Sequence, residues 1–229
     1  PEEGSLFHDD AVQRWRTLPE APPGKPPLPW TVVMAVDGAW GLGVGSDYSA
    51  IATWATDGLN YYLLDAWRGR VEYPELRRVV IERWRAQTPL PSGVLIEDAA
   101  NGRALIQDLR QTIGVPTQAV TPRGSKLARA EAVTGVWQAG KVCVPEGAPW
   151  VEEWLYEHVL FPQGTHDDYV DTTSLALGRL IQGNAVGGQQ QDWRIEFATG
   201  ARVEDTRPRP FWKRFGAPKE PVQGLARSG

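Results

Sequence analysis

Near residue 70 the hydrophobic period of this chain changes, and few folds accommodate what lies on both sides of the change. TVVMAVD (31–37) is β-branched, largely apolar and ends in an acid, the pattern of a buried central strand. After the glycine-rich turn GAWGLGVGSDY, the runs SAIATWAT and LNYYLLDAWRG read as strands joined at Asp57-Gly58, a strong hairpin signal. Three successive antiparallel strands are therefore expected. From there helical spacing takes over: in YPELRRVVIERWRAQ (73–87) the apolar residues are Leu76, Val79, Val80 and Trp84, and Pro74 is acceptable in a first turn. A short buried strand, GVLIED (93–98), again ends in acids. Then come a helix (NGRALIQDLRQTIG, closed by Gly114), a strand (VPTQAV), a helix (KLARAEAVTGVWQAG), a strand (KVCVP), a helix (APWVEEWLYEHVL) and a last core helix over roughly 168–182. The fold class is α/β: a mixed sheet of three antiparallel strands, then parallel strands, flanked by helices.

Around this core the composition shifts. Residues 1–30, with DDAVQRWRTL and the proline-rich APPGKPPLP, read as a leader and linker into a domain over 31–182. Beyond Gln182, GNAVGGQQQ opens a tail over 183–229, in which residues 192–229 carry eight basic side chains against five acids. That tail is expected to be a flexible basic extension able to touch nucleic acid or a partner. No run approaches the ~20 apolar residues of a membrane span, and the start has no signal-peptide pattern. A single cysteine, Cys143, excludes an internal disulfide framework and a cysteine-based zinc site, and three scattered histidines do not make a His-rich site. A reducing, cytoplasmic setting fits best. The net charge of −4 argues against a globally basic nucleic-acid binder, and a carboxylate-rich site would account for it. Most of the eleven tryptophans are expected in the core or in subunit contacts.

Three acidic positions carry the chemistry. Asp37 ends the first strand, Glu97 the fourth, and THDDYVDTTSLAL brings Asp167, Asp168 and Asp171 to the start of the last core helix. With the first and fourth strands side by side, Asp37 and Glu97 meet at one sheet edge, and a helix packed there delivers the third acid. Carboxylates so close raise each other's pKa unless a cation neutralises them. Oxygen ligands without imidazole or thiolate point to Mg²⁺ or Mn²⁺. Two such ions about 4 Å apart activate a water and stabilise the leaving oxygen in phosphodiester cleavage. Each acid also has a plain structural reading: a turn aspartate, a solvated strand end, a helix N-cap. Yet a cap needs one acid and this helix start has three, and Asp168 and Asp171 share a helix face. Asp98 beside Glu97 and Asp47 in GVGSDYS are supporting candidates. His166 is a loop hydrogen-bonding residue in a supporting place, and Tyr48 packs at the loop base. GVWQAGK matches GxxxxGK, but Val142 replaces the Ser or Thr of a P-loop and the match ends a helix instead of starting one. GLGVGS lacks the third glycine of a dinucleotide fingerprint.

The order of these blocks resembles the C-terminal nuclease domain of the large terminase subunit of tailed bacteriophages, an RNase H-like fold. AVDGAWGLGVGSDYSAIATW, NYYLLDAWRGRVEYPEL, VLIEDAANGRALIQDL, SKLARAEAVTGVWQAGKVCVPEGAPWVEEWL and GTHDDYVDTTSLAL carry the resemblance. The leader EGSLFHDDAVQRW is similar to the segment after that family's ATPase domain, so residues 1–30 are expected to lead from an ATPase that is not in this chain. The resemblance implies that Asp37, Glu97 and Asp168 are metal ligands, with Asp171 secondary and Asp47 and Asp167 supporting. It implies that Lys126 and Arg129 face the DNA backbone. The implied function is a two-metal endonuclease cutting double-stranded viral DNA concatemers during packaging, in the host cytoplasm at the procapsid, with portal and small terminase subunit as partners of the full-length protein and no membrane. Another RNase H-like nuclease, acting on junctions or RNA–DNA hybrids, and a non-catalytic docking module of the motor are the alternatives. An actin-like ATPase needs a duplicated domain that this length does not hold.

Overall fold

Asp57-Gly58 forms the expected reversal: Gly58 has φ of 91°, and Asp57 Oδ1 accepts from the amides of Leu59 and Asn60. On either side of it stand β3 (Ser49–Thr56) and β4 (Tyr61–Gly69), and β3 is also antiparallel to β2 (Thr31–Asp37). The computed structural model describes residues 5–21, 23, 28–38, 48–98 and 100–185; Asp47 and residues 186–229 lie outside it.

Next in the chain come α1 (Tyr73–Ala86), β5 (Gly93–Glu97), α2 (Ala100–Ile113), β6 (Thr117–Val120), α3 (Lys126–Gln138), β7 (Val142–Pro145), α4 (Val151–Leu160) and α5 (Asp168–Ala185). β5 runs parallel to β2, β6 to β5, and β7 to β4. An additional strand, β1 (Gln13–Trp15), lies parallel to β7, giving a seven-stranded sheet in the order β1-β7-β4-β3-β2-β5-β6. β1 was not expected from the sequence. It follows a 3-10 turn at Asp9–Ala11, in a stretch expected to belong to a leader. Three residues are too few for a periodic signal, and their partner lies far along the chain. Phe7, just ahead of it, is fully buried against Trp137, whose Nε1 donates to the His8 carbonyl.

Both sheet faces are covered, which is why the central strands read as nearly unbroken apolar runs. Val33, Ala35 and Leu95 turn to one face and pack with Ala130, Val133, Tyr169, Val170 and Leu177 of α3 and α5, together with α4. Met34, Val36, Val94 and Ile96 turn to the other and meet Leu76 and Val80 of α1 and Leu105 and Leu109 of α2. Trp54, Trp137 and Trp154 are fully buried on the first face, where Trp137 and Trp154 pack against His158 and Trp54 packs against Trp154. At roughly 2–3 kcal/mol per fully buried large apolar side chain, these two layers dominate the stability of the fold. The crossover helices carry the chain back so that β2 and β5 finish at the same end of the sheet.

Candidate active site

The register of β2 and β5 decides the first two positions. Val36 pairs with Ile96, so Asp37 and Glu97 are the next residues on neighbouring parallel strands. Behind Glu97, α2 begins almost on top of the strand end, and only glycine permits it. A Cβ on Gly102 would stand 2.1 Å from the Glu97 carbonyl oxygen. α5 packs across β2 and β3 and starts at Asp168, with Asp171 in the same first turn.

The acids act on one another. Burial pushes the Asp37 carboxyl up to about 7, and the negative charges of Asp171, Glu97 and Asp168 add to it; only Lys126 pulls the other way. Asp37 makes no ion pair or side-chain hydrogen bond with any other described residue. Asp168 is also held above its ordinary value, chiefly by burial, with Arg68 opposing and Asp167 adding.

Two cations of α3 are turned onto this group. Lys126 Nζ lies 2.9 Å from both oxygens of Asp167 and 2.8 Å from Asp171. Its pKa is raised: burial alone would lower it, but the bonds to Asp171 and Asp167 outweigh that. Arg129 stands 3.0 Å from Asp171 and 3.9 Å from Glu97. The structure thus brings Asp37, Glu97, Asp168, Asp171 and Asp167 together with both basic residues expected to face DNA. Asp98 pairs instead with Arg103 at 2.8 Å, and its amide donates to Val120. His166 packs edge-on against Tyr48, with ring centroids 5.1 Å apart.

Two residues of this region escaped the sequence reading. Arg68 of β4 is nearly buried and contacts Glu153 and Glu157 of α4, and lies 3.6 Å from Asp168. Glu157, 5% exposed, accepts the amides of Tyr169 and Val170 in the first turn of α5. Burial pushes Glu157 up to about 7 against the pull of Arg68 and those amides. A signal for Glu157 exists, since it lies on the helix between the buried positions Trp154 and His158. Arg68 left none.

Among the described residues no three His, Cys, Asp or Glu side chains stand close enough to hold an ion as they are. The donor set nevertheless fits a hard divalent cation. It offers only carboxylate oxygens, and its central member, Asp37, faces three acids with no cation bonded to it. Cys143, the one thiol, is buried in β7. The GxxxxGK stretch closes α3, with Gly140 at φ 65°, and cradles nothing at a helix start. A cavity of about 590 Å³ lies elsewhere, between α1, β4 and the chain after β7, lined by Trp15, Trp67, Val79, Arg83 and Trp150 among others, and none of the clustered acids borders it.

Residues 34–180 match the terminase RNaseH-like domain family. No curated protein is matched in sequence. Among solved structures, the large terminase nuclease from thermophilic phage G20c with bound magnesium superposes with a TM-score of 0.53 at 17% identity, covering 78% of this chain and 99% of that one. The same nuclease is known with bound zinc and with bound cobalt. The P22 large terminase nuclease domain gives 0.55 at 15% identity over 79% of this chain and 93% of that one. The human cytomegalovirus terminase nuclease domain, soaked with manganese and bound to an inhibitor, gives 0.50 at 10% identity over 68% of this chain and 85% of that one.

Proposed function

The chain belongs to the terminase RNase H-like domain family, and from that premise we propose that it is a metal-dependent endonuclease that cuts double-stranded viral DNA concatemers during genome packaging. The observation that carries this reading is the crowding of Asp171, Glu97 and Asp168 around an Asp37 that has no bonded cation among the described residues. Asp37, Glu97, Asp168 and Asp171 would hold Mg²⁺ or Mn²⁺, which when bound supplies an activated hydroxide and stabilises the leaving oxygen. The metals bound by the G20c nuclease support a divalent cation here.

The protein's own groups do the rest. The β2–β5 register and the close approach of α2 hold Asp37 and Glu97 on rigid backbone, and α5 sets Asp168 and Asp171 beside them. Lys126 and Arg129 neutralise the acids in the resting protein. An incoming phosphodiester competes for the same two cations, which then bind its oxygens and orient the backbone. Such contacts carry no sequence information, so cutting is nearly sequence-blind and weakens with salt. In the packaging machine, at the procapsid in the host cytoplasm, the domain's partners are the DNA, the portal and the small terminase subunit.

Supercoiled plasmid, linear duplex, a four-way junction and an RNA–DNA hybrid are incubated with the chain in Mn²⁺ and in Mg²⁺. Plasmid and linear duplex are cut, and Asp37→Ala with Asp168→Ala abolishes it. Equal plasmid cleavage by that double variant removes the site assignment. Preference for the junction or the hybrid replaces the substrate.

A further inference from the structure

Asp168 stands at the first position of a helix, where the chain has just left a loop and the backbone has few partners of its own. The contacts behind it are unusually complete. Glu157, from the neighbouring helix α4, accepts the Tyr169 amide at 2.6 Å and the Val170 amide at 3.2 Å through the same Oε1. These are two of the orphan donors at the start of α5, so a side chain from another helix does the work of an N-cap. The other oxygen, Oε2, takes Nη1 of Arg68 from β4. That same Nη1 lies 3.6 Å from Asp168 Oδ2, and Nη2 is taken by Glu153. The guanidinium also lies over two rings, with Cζ 4.7 Å from the centroid of Tyr48 and 4.9 Å from that of Tyr169. Its side chain is 10% exposed and that of Glu157 is 4% exposed.

A pair so buried is a poor source of stability, because desolvation offsets most of the attraction. It is a good source of geometry, because a forked guanidinium with both prongs taken and two aromatic rings against it has one place to be. We infer that Arg68 and Glu157 are positioning residues which fix the first turn of α5, and with it the Asp168 carboxylate, for a divalent cation shared with the strand-end acids. Arg68 ties the helix start to the sheet that carries Asp37, and Glu157 ties it to α4. Both side chains are largely shielded from solvent. The inference rests on the reading of Asp168 as a ligand.

The test uses the full chain and Mn²⁺ alone as probe. Calorimetric Mn²⁺ affinity, and kcat and KM for plasmid cleavage, are measured for the parent, Arg68→Gln, Glu157→Gln, Asp168→Asn and the pairwise double variants. Outer-shell partners of this kind are worth about 10–100-fold in metal affinity or activity. Each clamp variant is expected to lose about 10-fold in Mn²⁺ affinity and to fall in kcat, with KM for DNA unchanged. In the Asp168→Asn background neither should cost anything further in Mn²⁺ affinity, because the group they position is gone. Parental Mn²⁺ affinity and kcat in the clamp variants overturn the proposal, as do losses that add in full to that of Asp168→Asn, which mark general damage. If Asp168→Asn itself behaves as the parent, the ligand reading fails and the clamp fails with it. An impaired Asp168→Asn beside parental clamp variants sinks the clamp alone. Should Arg68→Gln not fold, Arg68→Lys, which keeps the charge and loses the fork, goes through the same cycle.

Discussion

Two aspartates of this sheet are buried to a similar degree and live in opposite surroundings. Asp65 of β4, on the α1 face, takes both its oxygens to Arg83 at 2.7 and 2.6 Å, with Gln87 at 3.4 Å beside them. Burial pushes its carboxyl up, but its other neighbours all pull it down. At Asp37 burial acts the same way, and there the neighbouring acids Asp171, Glu97 and Asp168 add to it, with Lys126 alone opposing. One site is a closed pair. The other is left short of positive charge. A protein that needed only to fold would have no use for the second arrangement, because repulsion among buried carboxylates costs stability with nothing in the fold to offset it.

The contrast breaks or sharpens under substitution. The largest effect is expected at the open site, where Asp37→Ala with Asp168→Ala removes plasmid cleavage altogether while the protein still melts cooperatively. At the closed site the outcome inverts: Asp65→Ala strands Arg83 and costs about 3 kcal/mol in urea unfolding, with cleavage of the surviving folded protein unchanged. Replacing Asp65 and Arg83 together by apolar residues should restore most of that loss. A loss of cleavage beyond the folded fraction would erase the distinction between the two sites.

Asp37→Asn should stabilise the protein, and pH shows why. The folded carboxyl keeps its proton up to about 7, whereas the unfolded chain gives it up near 3.8. Relative to Asp37→Asn, the parent therefore loses stability as pH rises through that window and stays level above it, by about 4 kcal/mol. His158 works in the other direction. Burial lowers its pKa from 6.5 to about 3, so its contribution is full above 6.5 and is lost as pH falls towards 3. Both proteins carry His158, so the difference between their denaturation midpoints isolates Asp37; a difference that grows towards low pH would contradict the crowding. The smallest effect belongs to Lys126. Lys126→Ala should weaken DNA binding by about one phosphate contact and reduce the slope of log affinity against log salt by about 1. An unchanged slope would mean that Lys126 serves the acids only.

Much of this was legible in the residues. The strand patterns of TVVMAVD and GVLIED, the Asp57-Gly58 turn and the helical spacing of Leu76, Val79 and Val80 are local signals, and each element stands where they put it. Acids at two strand ends, together with an α/β order that lays β2 against β5, were enough to bring Asp37 and Glu97 side by side. β1 was not legible, because a three-residue edge strand exists only through its partner β7. Nor were the ion pairs of Lys126 and Arg129 with the acids, since a helix-surface cation has no sequence mark that says what it faces.

The chain alone determined the longer strands and helices and that hard oxygen donors end β2 and β5. Those are matters of period and of residue type, and both are read within a few positions. Only the tertiary structure decided the surroundings of Asp168. The pairing of β3 and β4 slips between Thr53 and Trp54, so that Thr53 faces Asp65 and Trp54 faces Leu63, with Leu64 left over. That one extra residue reverses the alternation of β4. Tyr61 and Leu63 face α3–α5, but beyond the bulge it is Ala66 and Arg68 that do so, and Trp67 turns to α1. Strict alternation would have put Trp67 against the acids and Arg68 on the far side. The bulge depends on how two strands settle against each other and against the layers packed on them, an energy summed over many distant residues, and no short stretch of sequence contains it.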